Sequence, residues 1–105
     1  MVMRITLRYF DGCPHWETAL SRLHEVLQDA GLAGKTELVL EVVRSQEDAE
    51  RLRFQGSPTI LVDDVDPFAG ESAPFGLSCR VYATDSGLQG SPTVAQLRDV
   101  LPATP

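Results

Sequence analysis

One thiol stands where this chain has the clearest capacity for chemistry. In Tyr9-Phe10-Asp11-Gly12-Cys13-Pro14-His15-Trp16, an extended run breaks at Asp11-Gly12, Cys13 follows, and a long amphipathic pattern begins directly after it. A cysteine at that point meets the unpaired N–H groups and positive dipole end of a helix, which favour the thiolate. The thiolate is the nucleophilic form of cysteine. Cys13 therefore has two readings, a small buried residue at a helix start or a nucleophile, and its setting between Asp-Gly and Pro favours the second. His15 is either a first-turn surface residue or a group that, when protonated, steadies the thiolate or relays a proton. Trp16 opens the apolar stripe of the helix and packs in the core, or forms a wall beside the thiol, or both.

These residues need elements to hold them. Residues 4–10 alternate, with Ile5, Leu7 and Tyr9 on one face, and read as a strand. Pro14 suits the first helical position. Trp16, Leu20, Leu23, Leu27 and Ala30 then recur at helical spacing, and Gly31 suits a C-terminal cap. Residues 36–43 read as a second strand. Ser45 caps a short helix through Ala49 and Leu52 to about Arg53. Ile60-Leu61-Val62 forms a third strand after the turn residues 54–59. Residues 63–76, with Asp63, Asp64, Asp66, Pro67, Gly70, Pro74 and Gly76, form a long loop. Residues 77–83 read as a fourth strand, and Ser91-Pro92 opens a last helix with Val94, Leu97 and Leu101 on its apolar face. Gln-Gly-Ser-Pro-Thr occurs at 55–59 and again at 89–93, first before a strand and then before a helix, as one turn chemistry used twice.

The second cysteine, Cys79, falls early in the fourth strand. The third strand starts at the Cys13 end of the sheet and runs away from it. A simple antiparallel return places Cys79 at the far end, so the expectation is a buried, inert thiol. The loop 63–76 is long enough to change that register or fold back, which would let the two thiols pair if their Cα separation fits. Asp11 reads as a turn residue, with a second reading as a charge opposing the helix effect on Cys13. Asp63, Asp64 and Asp66 read as a solvated acidic turn, and no cluster around His24 suggests zinc, so no metal site is expected.

Bulk properties narrow the function classes. The 105 residues suit one domain over residues 1–105. A net charge of −6 argues against nucleic acid or an anionic membrane as partner. No apolar run reaches the ~20 residues of a membrane span. Met1-Val2-Met3-Arg4-Ile5 lacks a signal-peptide layout, so the expected location is cytoplasmic, where two cysteines are more often free or reactive than structural.

The element order is β-α-β-α-β-β-α, an α/β class, with a cysteine between the first strand and first helix and Ser57-Pro58-Thr59 entering the third strand. In this the chain resembles the thioredoxin-like superfamily in its small, glutaredoxin-sized form, and bacterial members carrying Tyr-Phe-Asp-Gly-Cys-Pro. Cys13-Pro14-His15-Trp16 stands against the family's C-x-x-C or C-x-x-S, and Ser57-Pro58-Thr59 against its cis-proline loop. The resemblance implies a four-stranded mixed sheet flanked by helices, a cis bond before Pro58 next to Cys13, and a Ser57 backbone free to pair with an incoming thiol or peptide. Two departures matter. Trp16 stands where a second motif cysteine would be, and no Gly-Gly pair follows the fourth strand.

The expected function is a thiol–disulfide oxidoreductase of monothiol type without a cofactor. Cys13 attacks a disulfide, a second thiol from solution or from Cys79 resolves the intermediate, and His15 assists. Trp16, Ser57, Pro58 and Thr59 would line the substrate, a low-molecular-weight thiol or a protein disulfide. The alternative is a non-catalytic module of the same fold that binds a protein or peptide, or captures a soft metal such as mercury between Cys13 and Cys79.

Overall fold

A computed structural model describes residues 3–68 and 75–101. Gly70 and Pro74 of the expected loop, and Met1 and Val2, lie outside the described residues. The elements in chain order are β1 (Met3–Tyr9), α1 (His15–Asp29), a 3-10 turn (Ala33–Lys35), β2 (Thr36–Val42), α2 (Gln46–Arg51), β3 (Thr59–Val62), β4 (Tyr82–Thr84), β5 (Gly87–Gln89) and α3 (Val94–Val100).

The main sheet has three strands in the order β2-β1-β3, with β2 parallel and β3 antiparallel to β1. β1 is central because its alternate residues serve the core: Ile5 and Leu7 are fully buried. They meet Ala19, Leu23, Val26 and Leu27 of α1, Ile60 of β3 and Leu97 of α3 in one apolar cluster. Fully burying each such aliphatic side chain contributes roughly 1.5–3 kcal/mol. A smaller cluster of Val43, Ala49 and Phe54 anchors α2.

The helix ends follow from their residues. Gly31, at φ +70°, turns the chain out of α1. The Leu32 N–H then donates to Leu27 O and the Gly31 N–H to Gln28 O, satisfying carbonyls the helix leaves open. Ser45 caps α2 by accepting from the Asp48 N–H. Arg53, read from sequence at the end of that helix, instead lies beyond it at φ 55° and makes the same kind of turn. The cap of α3 is Thr93 rather than Ser91, because Thr93 and Gln96 form a reciprocal capping box.

The expected four-stranded sheet is corrected. Residues 77–83 do not form one strand beside β3. The strand there is only β4, Tyr82–Thr84, and it pairs with β5 in a separate antiparallel hairpin. Thr84 and Gly87, the latter at φ +95°, make the hairpin turn. The residues just before β4 are committed elsewhere: the backbone of Ser78 and Arg80 bonds to Ser57. No described helix is long and apolar enough to cross a membrane.

Candidate functional site

β1 and α1 place Cys13. The chain leaves the sheet at Tyr9, whose carbonyl accepts from the Val43 N–H, and folds back so that the Cys13 N–H donates to Phe10 O at 3.1 Å. Gly12 permits this turn, since a Cβ there would lie 2.6 Å from the Phe10 ring. Pro14, at φ −77°, is already helical and starts α1. Cys13 is thereby fully buried at the positive end of the helix dipole. Its Sγ lies 3.4 Å from the Ser57 carbonyl oxygen, an acceptor that only the protonated thiol satisfies.

The Ser57–Pro58 bond is cis and sits beside Cys13, as the resemblance implies. The Ser57 backbone, however, is not free. Its N–H donates to Ser78 O and its carbonyl accepts from the Arg80 N–H, each at 2.8 Å. The chain's own residues 78–80 thus lie along Ser57 in parallel, where an incoming peptide was expected. Gly56, at φ +118°, makes room for them, because a Cβ there would lie 3.1 Å from the Arg80 backbone.

That pairing carries Cys79 to Cys13. The two Sγ atoms are 2.9 Å apart, closer than van der Waals contact but beyond the ~2.05 Å of a disulfide. Both are free thiols. The expectation of a buried Cys79 at the far end of the fold is overturned: it is exposed and touches Cys13. A simple antiparallel return would carry residues 77–83 along β3, whereas the segment crosses the Cys13 end first. The hydrogen bond that Cys79 donates to Cys13 pushes its thiol up to about 11, with burial and the charge of Cys13 adding. Within the pair, Cys79 holds its proton.

Arg80 and Tyr82 clamp the crossing segment, and sequence reasoning missed both. The buried Arg80 guanidinium grips the Asp66 carboxylate with two nitrogens, at 2.6 and 3.4 Å, and also bonds the Phe68 carbonyl. It lies 4.8 Å from the centroid of the Tyr82 ring. The Tyr82 hydroxyl donates to the Pro58 carbonyl, and burial pushes its pKa well above the ordinary phenol value, so it stays a donor. The available signal was an arginine placed next to a cysteine within an otherwise apolar run. Asp66, read as part of a solvated turn, is the counter-charge.

The other expected site residues fall as follows. His15 is exposed and its ring packs on Gly90, where a Cβ could enter only if the ring moved. It shares a cleft with Cys79 but makes no hydrogen bond to either sulfur. Trp16 is half-buried, stacks on Tyr9 with centroids 4.2 Å apart, and packs on the main core. Ser57, Pro58 and Thr59 are buried beneath the chain's own residues. Thr59 Oγ1 donates to Gly56 O, and the Ser57 hydroxyl has no partner among the described residues. Among the described residues, no group of three or more His, Cys, Asp or Glu is placed to hold a metal ion.

No protein-family model matches this chain, and no curated protein is significantly similar to it.

Proposed function

We propose that this chain is a thioredoxin-like thiol–disulfide oxidoreductase whose redox centre is the pair Cys13 and Cys79. The observation that carries the reading is the 2.9 Å approach of two sulfurs drawn from distant segments, one at a helix start and one exposed. The sheet order β2-β1-β3, the cysteine between β1 and α1, and the proline loop facing that cysteine support the fold assignment. The resolving thiol, which Trp16 cannot supply, comes in this reading from the chain itself.

In the reducing direction the dithiol loses two electrons and two protons. A Cys13–Cys79 bond forms, the bond of a substrate disulfide breaks, and its two sulfurs leave as thiols. The substrate class is a low-molecular-weight or protein disulfide. A reducing compartment such as the cytoplasm would regenerate the dithiol.

A soft-metal dithiolate is less well matched. Two ~2.3 Å metal–sulfur bonds set the sulfurs about 3.8 Å apart at a tetrahedral angle and farther apart in the near-linear geometry of a two-coordinate soft metal, wider than the 2.9 Å observed. A peptide-binding module on the Ser57 edge would first have to displace residues 78–80.

Disulfide reduction by wild type, Cys13→Ser and Cys79→Ser tests the reading. Turnover in the wild type and its loss in both variants is expected. Equal turnover by wild type and Cys13→Ser would sink it.

A further inference from the structure

The two sulfurs of the pair differ in access. Cys13 is fully buried, while Cys79 is exposed on the wall of a cleft of about 610 Å³. An outside sulfur meets Cys79 with no movement of the chain. To meet Cys13 it requires residues 78–80 to leave Ser57, at the loss of two backbone hydrogen bonds.

The cleft also has a chemical character. Arg22 lies on its wall, half-buried, donating to Ser91 Oγ at 3.2 Å and Pro92 O at 2.9 Å. Both acceptors are neutral, and among the described residues Arg22 has no carboxylate partner. His15 adds a basic nitrogen, while the Arg80 guanidinium is committed to Asp66 and the Phe68 carbonyl. None of the lining residues is acidic, in a chain with 15 acidic residues against 9 Lys and Arg. Val81 and Leu88, 60% and 76% exposed, supply an apolar flank. The volume suits a small molecule.

We propose that the external thiol is carried as a mixed disulfide on Cys79 rather than on Cys13, and that the rest of this small, carboxylate-bearing thiol occupies the cleft with its carboxylate toward Arg22. The proposal rests on the Cys13–Cys79 pair being a redox centre. An external thiolate attacks Cys79 Sγ of the oxidised pair. A bond forms between the external sulfur and Cys79 Sγ, the Cys13–Cys79 bond breaks, and its electron pair leaves on Cys13, where the dipole of α1 receives the charge. A second external thiolate attacks the external sulfur of the mixed disulfide and releases Cys79 with its electron pair. Two external thiols become one disulfide. The protein gains two electrons, and the protons lost by those thiols pass to the pair or to solvent. The reverse sequence reduces a small disulfide.

The test uses wild-type protein oxidised to the internal disulfide, with 3-mercaptopropionate as the probe. Acid quenching, alkylation of the freed thiol and peptide mapping locate the adduct. The probe on Cys79 and the alkyl group on Cys13 are expected, and the opposite placement overturns the proposal. Re-closure empties the mixed disulfide quickly, so single-cysteine variants are also charged with 3,3′-dithiodipropionate, each rate referred to the same variant unfolded in urea. Cys79 in Cys13→Ser should react without protection. Cys13 in Cys79→Ser should be protected between about tenfold and a thousandfold, the range set by a minor open state, and equal protection of the two overturns the proposal. Arg22→Gln should slow 3-mercaptopropionate about tenfold and leave neutral 2-mercaptoethanol unchanged. Equal slowing of both overturns the carboxylate assignment. If wild type forms no internal disulfide on oxidation, the redox reading fails. A disulfide that forms but opens with the probe on Cys13 defeats only this inference.

Discussion

Cys13 Sγ and Cys79 Sγ lie 2.9 Å apart across 66 positions of sequence. Closing a disulfide from this arrangement needs only a small adjustment of side chains and backbone. A mild two-electron oxidant should convert the wild type to an intramolecular disulfide. Thiol titration should then fall from two groups to none, and mass spectrometry should join the peptides holding the two cysteines. Persistence of two free thiols under conditions that oxidise a small dithiol would contradict the geometry.

The pair also sets a pH dependence. The Cys79 thiol is pushed from its ordinary 9.0 up to about 11, chiefly by its hydrogen bond to Cys13. In the reduced wild type, alkylation of Cys79 should therefore stay slow until pH rises well past 9. Cys13→Ser removes the partner and should bring the profile back toward an ordinary thiol, so Cys79 alkylation at pH 8–9 should accelerate. A folded-state value above the unfolded one favours the folded chain below about pH 9, and that contribution is lost as pH rises toward 11. Unchanged Cys79 alkylation in the variant would show that the hydrogen bond is not the cause.

Gly56 is the backbone hinge of the site. Its φ of +118° is unfavourable for any side chain, and a Cβ would press on the Arg80 backbone at 3.1 Å. Gly56→Ala should destabilise the fold by about 1–3 kcal/mol and push residues 78–80 off Ser57. Oxidative closure of the pair should slow with it. Urea unfolding and closure rate measured together check this, and a variant that closes at the wild-type rate would show that residues 78–80 do not depend on Gly56.

Asp66 and Arg80 form a largely buried ion pair, with side chains 16% and 8% exposed. Asp66→Asn leaves the guanidinium without its counter-charge and should cost about 3 kcal/mol or more. Replacing both, as Asp66→Leu with Arg80→Met, should be less damaging than the single change. A double variant as unstable as the sum of its parts would mean that the two side chains act independently.

The Ser57 hydroxyl is fully buried and has no partner among the described residues. Ser57→Ala removes an unsatisfied group and should leave stability unchanged or raise it by up to about 1 kcal/mol. The backbone bonds to Ser78 and Arg80 need no hydroxyl, so the internal disulfide should form at the wild-type rate. Slower closure in a stable variant would assign the hydroxyl a part in the chemistry.

Several elements were legible because their signals are local. The alternation of Ile5, Leu7 and Tyr9, the stripe from Trp16 to Leu27, the Gly31 turn and the Ser45 cap each fix a conformation through neighbours within a few residues. Ser91-Pro92 imitates a helix start two residues before the α3 cap, while Thr93 with Gln96 makes the bonds. The β4–β5 hairpin was missed because the run 77–83 has β composition throughout, and composition does not tell which residues of a run are already bonded elsewhere.

Turn and helix preferences act within a few residues, so the order of residues alone puts a cysteine where β1 gives way to α1 and brings Ser57-Pro58-Thr59 into β3. The meeting of Cys79 with Cys13 emerges only in the folded chain. That contact depends on the path of residues 75–82 across the Cys13 end of the sheet. The path is set by the paired backbone of Ser57, the missing Cβ of Gly56, the Asp66 carboxylate under Arg80 and the Tyr82 hydroxyl on Pro58. Each of these is a contact between residues far apart in sequence, and no periodicity or spacing encodes it.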